Sequence, residues 1–173
     1  CDARPERWAW TGQELRKINK VGPLLTKLSR SPATVAVLYP TAQTFVTNLP
    51  AARPYAYACL SQGFGSVDVL PEDVAREQQT WPYRGLVLLG CDLLHADLAP
   101  RLQQWVRDGG LLVVDRLPTR NHCGEAVPWP FTDAAVKAGT PYVTYPLGKG
   151  HVVKLGFDLE QDYRNAIENG RAA

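Results

Sequence analysis

The chain has no methionine, three histidines and a net charge of only +2 over 173 residues. So small a charge excess argues against nucleic acid as a partner, because holding a phosphate backbone calls for a concentrated basic surface. The basic residues are dispersed except for Arg16, Lys17, Lys20, Lys27 and Arg30 near the start. These read as the solvated face of a helix, with an anionic partner as the alternative. No apolar run approaches the roughly 18 residues of a membrane span, and no stretch has the layout of a signal peptide. The four cysteines, Cys1, Cys59, Cys91 and Cys123, make no C-x-x-C pair and fit no zinc-ligand spacing. No metal or cofactor is therefore expected, and cytoplasm, periplasm and cell exterior all stay open as compartments. The absence of a start methionine, with a polar opening that carries Trp8 and Trp10, leads to the expectation that the chain is a piece of a longer multidomain protein. Processing or lipid modification at Cys1 is the alternative.

What is present is ordered alternation. At this length one domain can bury roughly 70% of its unfolded surface. Thr11-Gly12-Gln13-Glu14 has the form of a capping box. Leu15, Ile18, Val21, Leu25 and Leu28 follow at helical spacing, with a kink expected at Gly22-Pro23. This linker and helix over residues 1–31 precede a domain over 32–173. Ala33 to Tyr39 is a continuous, β-branched apolar run, as a strand buried on both faces requires. A polar stretch follows Pro40, then a helix from about Arg53 to Gln62 that Gly63-Phe64-Gly65 stops. Cys59 in that helix reads as a small hydrophobe.

Val67–Leu70 and Gly85–Gly90 read as the next strands, with a short helical or irregular stretch after Pro71. Leu98, Leu102, Trp105 and Val106 share one face of a helix that Gly109-Gly110 ends, and Leu111–Asp115 is a fourth strand. The segment from Arg116 to Pro141 is mostly loop, with one short helix near Thr132–Lys137. Two alternating runs around Gly148-Lys149-Gly150 predict a β-hairpin. Asp158 is placed to cap a last helix over Leu159–Asn169, which Gly170 ends. Strands alternating with helices predict an α/β, doubly wound, mostly parallel sheet with a C-terminal hairpin.

The segments "ATVAVLYP", "GLVLLG", "LQQWVRDGGLLVVD" and "YPLGKGHVVKLGFDLEQDY", in this order, resemble the class I glutamine-amidotransferase-like domain that lies beside the barrel in family 42 glycoside hydrolases. That domain is called the beta-galactosidase trimerisation domain. The resemblance covers roughly Thr11 to Glu168. It implies a flavodoxin-like sheet without amidotransferase chemistry, serving subunit or interdomain contact in a glycosidase whose catalytic carboxylates lie elsewhere. The loop from Arg116 to Pro130, with Arg120, His122, Cys123 and Trp129, matches no pattern of that family.

Thiol chemistry on such a sheet needs a Cys on a Gly-flanked elbow, with backbone N–H groups aimed at the developing oxyanion. The loop after the fourth strand, Arg116 to Arg120, holds no such residue. Cys91 follows the third strand but lacks the second glycine, and reads as a partly buried thiol. His95, four residues on, is placed to share a helical face with it. Asn121-His122-Cys123-Gly124-Glu125 holds the residue types of a Cys-His dyad with an orienting acid. Sequence neighbours rarely point at one another, however, so a loop or docking role is preferred for them.

Tyr39, Glu72, Asp92, Asp115 and Arg116 fall at strand ends and would line any surviving crevice. Two carboxylates there can do acid/base work on a glycoside, but caps for the following helices explain them more simply. Trp8, Trp10, Trp81, Trp105 and Trp129 offer a sugar-stacking platform, with Trp105 at a core position. The expected role is contact, through self-association or a neighbouring domain. A small Cys-dependent hydrolase and a carbohydrate-binding module are the alternatives.

Overall fold

The computed structural model describes residues 33–47, 53–131, 136 and 139–170, with Gly12, Gln13, Arg16, Lys17, Lys20 and Gly22. The chain divides into two compact units, Cys1–Pro32 and Ala33–Ala173. In the first, the described residues are helical. The rest of the expected Thr11–Leu28 helix lies outside the described residues. So do Trp8, Trp10 and most of the expected short helix near Thr132–Lys137.

The second unit runs, in chain order, β1 (Val35–Tyr39), α1 (Thr41–Thr47), α2 (Pro54–Phe64), β2 (Val67–Pro71), α3 (Glu72–Glu77), β3 (Gly85–Leu88), β4 (Leu93–Leu94), α4 (Leu98–Arg107), β5 (Leu111–Val114), β6 (Arg120–Asn121), β7 (Tyr142–Leu147), β8 (Gly150–Leu155) and α5 (Leu159–Glu168). Six strands form one sheet in the order β2-β1-β3-β5-β8-β7. All neighbours pair in parallel except β7, which returns antiparallel along β8. This is a flavodoxin-like sheet with a hairpin strand added at one edge.

Period-two alternation sorts the strand residues between two cores. Ala36, Leu38, Leu86, Leu88, Leu112, Val114 and Val152 face one side, where Ala75 of α3 and Leu98, Leu102 and Val106 of α4 cover them. Val35, Val67, Val87 and Leu89 face the other, against Ala56 and Leu60 of α2, with Leu159 of α5 packed alongside. β7 shows the edge pattern of alternating exposed and half-buried residues, and an edge tolerates Pro146. The last helix begins as its sequence predicts: the Asp158 side chain accepts the Gln161 N–H at 3.2 Å.

Two elements depart from expectation. The polar stretch after Pro40 is a helix, α1, and two loops pair as the minimal parallel ladder β4–β6. Among the described residues no helix is long and apolar enough to cross a membrane.

The hairpin turn docks on the end of α4, where Lys149 N–H donates to the Arg107 carbonyl at 2.8 Å. Gly150 there lies so close that a Cβ would fall on the Gly110 and Val106 carbonyl oxygens. Backbone oxygens cannot swing aside as a side chain can. Gly150→Ala is therefore expected to lower the unfolding free energy by about 3 kcal/mol. Gly63→Ala, in α2 with open space around the site, is expected to raise it by about 0.5–1 kcal/mol. Urea titrations followed by circular dichroism separate the two.

Candidate functional site

In a parallel sheet the carboxyl ends of the strands gather on one rim, where this class of fold places its ligands. Here the rim collects Tyr39, Glu72, Gly90, Asp115 and Asp158 from β1, β2, β3, β5 and β8 or the residues just beyond. Its polar groups turn inward. Glu72 is 1% exposed. One of its carboxyl oxygens accepts the Ala42 N–H at 2.8 Å, and the other accepts the His95 N–H. Gln43, also buried, donates to the Gly90 carbonyl at 2.8 Å. Its amide oxygen accepts the Asp92 and Leu93 N–H groups at 2.7 and 3.2 Å. Both Asp115 oxygens accept the Gly90 N–H at 2.9 Å.

These carboxyl groups are not caps for the helices that follow them. Glu72 stands at the start of α3 yet bonds the first turn of α1, and Asp115 holds the loop after β3. Asp92 is exposed and pairs with Arg116 at 3.3 Å. Partial burial works against the Arg116 charge, but Asp115 and Asp92 outweigh it and hold the guanidinium more firmly protonated than usual. Tyr39 is half-buried, with its hydroxyl 3.3 Å from Thr44 Oγ1. Gln43 and Arg53 are the rim residues that sequence reasoning missed. The Arg53 guanidinium lies against Gly90, in the space a Cβ would occupy, and reaches Asp158 at 3.8 Å.

Cys91 stands where an elbow nucleophile would. It is fully buried, and its thiol lies 3.2 Å from the Leu93 carbonyl. Burial pushes the thiol far up from its ordinary range, and the neighbouring Glu72 reinforces this. The two successive N–H groups that could receive an oxyanion there, Asp92 and Leu93, already hold Gln43 Oε1. Cys91 and His95 do not share a helical face, because β4 lies between them.

The Asn121–Glu125 loop also differs from expectation. His122 and Cys123 do meet, with Nε2 and Sγ 3.4 Å apart. The His122 ring stacks on His95, centroids 3.8 Å apart and planes at 12°. Its Nδ1 accepts the Ala96 N–H at 3.3 Å, which places the neutral ring's proton on Nε2. That nitrogen then donates to the sulfur and cannot take the thiol proton. Glu125, the expected orienting acid, bonds Asn121 Nδ2 at 2.7 Å instead. The Cys123 N–H donates to Asn121 Oδ1 at 2.9 Å.

Around the rim, a cleft of about 400 Å³ is bordered by Asp115, Arg116, Lys154, Phe157 and Asp158. A second hollow of about 260 Å³ lies between α2 and the edge of the sheet, among Val37, Tyr39, Pro54, Tyr57, Val69 and Leu89. The tryptophans do not form one platform. Trp81 is 7% exposed and donates to the Ala75 carbonyl at 3.0 Å. Trp129 donates to the Pro118 carbonyl at 3.1 Å and packs with Phe131, which stacks on Tyr145. Among the described residues no three His, Cys, Asp or Glu side chains are grouped to hold a metal ion.

No protein-family model and no curated protein matches the chain. Solved structures match most of its length. It is similar to a catalytic mutant of a GH42 beta-galactosidase from G. stearothermophilus, at a TM-score of 0.56 and 15% identity, over 90% of this chain and 32% of that one. It is similar to the exo-beta-1,4-mannosidase Op5Man5 from Opitutaceae bacterium strain TAV5, at a TM-score of 0.56 and 13% identity, over 85% and 35% of the two chains. A beta-galactosidase from Bacillus circulans sp. alkalophilus matches at a TM-score of 0.52 and 12% identity, over 80% and 31%. The chain thus spans about a third of the length of these proteins. At such identities the likeness establishes a shared fold.

Two measurements probe the rim. Glu72→Ala leaves the Ala42 and His95 N–H groups buried without acceptors, and is expected to cost about 3 kcal/mol of stability in denaturant titrations. Desolvation, then the Arg76 and His122 charges, lower the pKa of His95. A histidine whose folded value lies below its unfolded one binds fewer protons when folded. Its contribution is complete above the unfolded value of about 6.5 and is lost as pH falls through the folded one. The thermal midpoint should therefore drop between neutral pH and pH 5, and His95→Gln should flatten that drop.

Proposed function

We propose that this chain is a non-catalytic accessory domain of a glycoside-hydrolase-like protein, acting through oligomerisation or interdomain contact. The observation that carries this reading is the placement of Gln43. Its amide oxygen fills the pair of backbone donors that catalysis at the elbow would need to leave open. The shared fold with about a third of GH42 beta-galactosidases and of an exo-mannosidase supports the glycosidase-like parent.

A contact role calls for apolar surface, and the face of the sheet beside α2 and α5 supplies it. A hollow of about 340 Å³ there is bordered by Leu60, Phe64, Val87, Leu111, Val113 and Leu155. Phe64 is 60% exposed and Leu111 41%. Apolar side chains gathered and open in this way mark protein–protein surfaces more often than chance exposure does.

The reading as a Cys-dependent enzyme draws on the His122–Cys123 contact. The proton on Nε2, the diverted Glu125 and the Cys123 N–H already bonded to Asn121 Oδ1 all weigh against it.

Light scattering on the chain over a concentration series tests the contact role. The expected result is mass that rises with concentration, and a return to monomer in Phe64→Glu. A chain that stays monomeric and binds no hydrophobic dye would sink the proposal. Alkylation by iodoacetamide at pH 7 tests the enzyme reading separately. Cys91 should react only on unfolding, and Cys123 at the rate of an ordinary exposed thiol. A Cys123 that reacts about a hundredfold faster than free cysteine would restore the catalytic reading.

A further inference from the structure

We propose that the stacked pair of His95 and His122 is an acid-released latch. Near neutral pH it holds residues 118–128 closed over the start of α4, and protonation frees that loop while the six-stranded sheet stays folded. The two imidazoles lie 3.8 Å apart between centroids, with planes at 12°. Two of the three histidines in the chain thus meet face to face. One stands just after β4 and the other just after β6, so the stack joins two loops that are distant in sequence.

Both rings use the same nitrogen in the same way. His122 Nδ1 accepts the Ala96 N–H at 3.3 Å, and His95 Nδ1 accepts the Asp97 N–H at 3.4 Å. Each bond needs a lone pair, so the closed form calls for two neutral rings with their protons on Nε2. A proton added to either Nδ1 sets two hydrogens against each other, and a second places two like charges in one stack. The groups that face the pair do not neutralise such charge. Asp97 Oδ2 lies 3.4 Å from His95 Nδ1 but also binds Arg76 of α3 at 3.1 Å, and its side chain is 63% exposed. Glu72, at the start of α3, spends its two oxygens on the Ala42 and His95 N–H groups. On the other loop, Cys123 Sγ lies 3.4 Å from His122 Nε2, and Glu125 bonds Asn121 Nδ2 at 2.7 Å. Desolvation first, then Arg76 and His122, hold His95 below its ordinary range, and Asp97 and Glu72 oppose this without outweighing it.

The loop is otherwise tied to the body by short devices. β4 and β6 pair over two residues each. The Thr119 and Arg120 N–H groups share the Asp92 carbonyl at 3.2 and 3.4 Å, and Gln103 donates to the Pro128 carbonyl at 2.9 Å. Other bonds lie within the loop, such as Asn121 N–H to the Glu125 carbonyl at 2.8 Å and Val127 N–H to the Thr119 carbonyl at 3.0 Å. The loop is therefore built to move as one piece. A hollow of about 280 Å³ separates it from the start of α4, bordered by Ala96, Ala99, Pro100, Asn121 and Val127. Lifting the loop widens that hollow and uncovers the apolar side chain of Val127, which packs against the core. The two cores of the sheet hold no histidine, and His151 is exposed on β8. A pH that opens the latch thus leaves the sheet intact.

This inference does not depend on the contact role proposed above. Hydrogen exchange read by mass spectrometry at about pH 7.5 and about pH 5.5, corrected for the intrinsic rates, decides it. Both values lie above the ordinary carboxylate range. The open form binds more protons than the closed one, so opening grows as pH falls below about 6.5 and is suppressed above it. The expected result is a loss of protection of about tenfold or more in peptides spanning 118–128, with none in peptides from β1, β3 and β5. The step should vanish in His95→Gln and in His122→Gln, whose amide oxygen accepts the same N–H without titrating. It should persist in His151→Gln. Nuclear magnetic resonance on the unaltered chain gives a reading that needs no variant: the His95 and His122 ring protons should shift at the pH where the loop amides lose protection. Equal protection of the loop at both pH values would overturn the proposal. So would a loss shared by the sheet, a step that survives in both glutamine variants, or ring titration without loop opening.

Discussion

The arrangement at the rim depends on one requirement: backbone N–H groups that are removed from water must find acceptors. At the carboxyl ends of β1, β2 and β3 the chain turns sharply and exposes such groups toward the interior. Glu72 answers two of them from a single carboxyl group, one in α1 and one just after β4. Gln43 answers two more and pins the Gly90 carbonyl as well. These two side chains join segments 23 to 50 residues apart. The turns could not close without acceptors at these places, because each unpaired buried amide costs roughly 1–3 kcal/mol.

The same bonds decide what the rim can do. A catalytic rim keeps donors aimed at vacant space, so that charge developing on a substrate finds them ready. Here the donors point at Gln43 and Asp115, and the thiol at the elbow position is buried beside a carboxyl group. The His122–Cys123 contact shows the same inward habit, since a backbone N–H fixes the ring in the tautomer that donates to sulfur. The groups at the elbow position are thus spent on bonds within the fold. The open apolar surface lies beside α2 and α5.

The sheet was legible wherever local pattern and tertiary role agree. β1, β3 and β5 are continuous apolar runs because parallel strands are buried on both faces, and the hairpin alternates because β7 is an edge. Helix α1 was not legible. Thr41, Thr44, Val46 and Thr47 are poor helix formers, and the helix holds because Glu72, thirty residues away, takes an N–H of its first turn. The ladder β4–β6 is two residues long on each side and too short for any period to show. The strand-end candidates were readable as positions but not as partners. No spacing rule tells that Glu72 bonds Ala42, or that the ring of His95 lies on that of His122. Those pairings follow from where the strands end in space.

The hairpin completes the argument by linking the two ends of the domain. β8 enters the sheet beside β5 only because Gly150 and Gly110 allow their backbones to touch. Gly110 in turn is the surface on which Trp105 lies flat. A side chain at position 110 would lift the indole, and one at position 150 would push β8 away from β5. Strand β8 and the Trp105 ring are therefore set by the same few ångströms of bare backbone. A family of sequences could keep this fold while changing nearly every side chain, as the 12–15% identities to solved structures illustrate, provided that contact stays open.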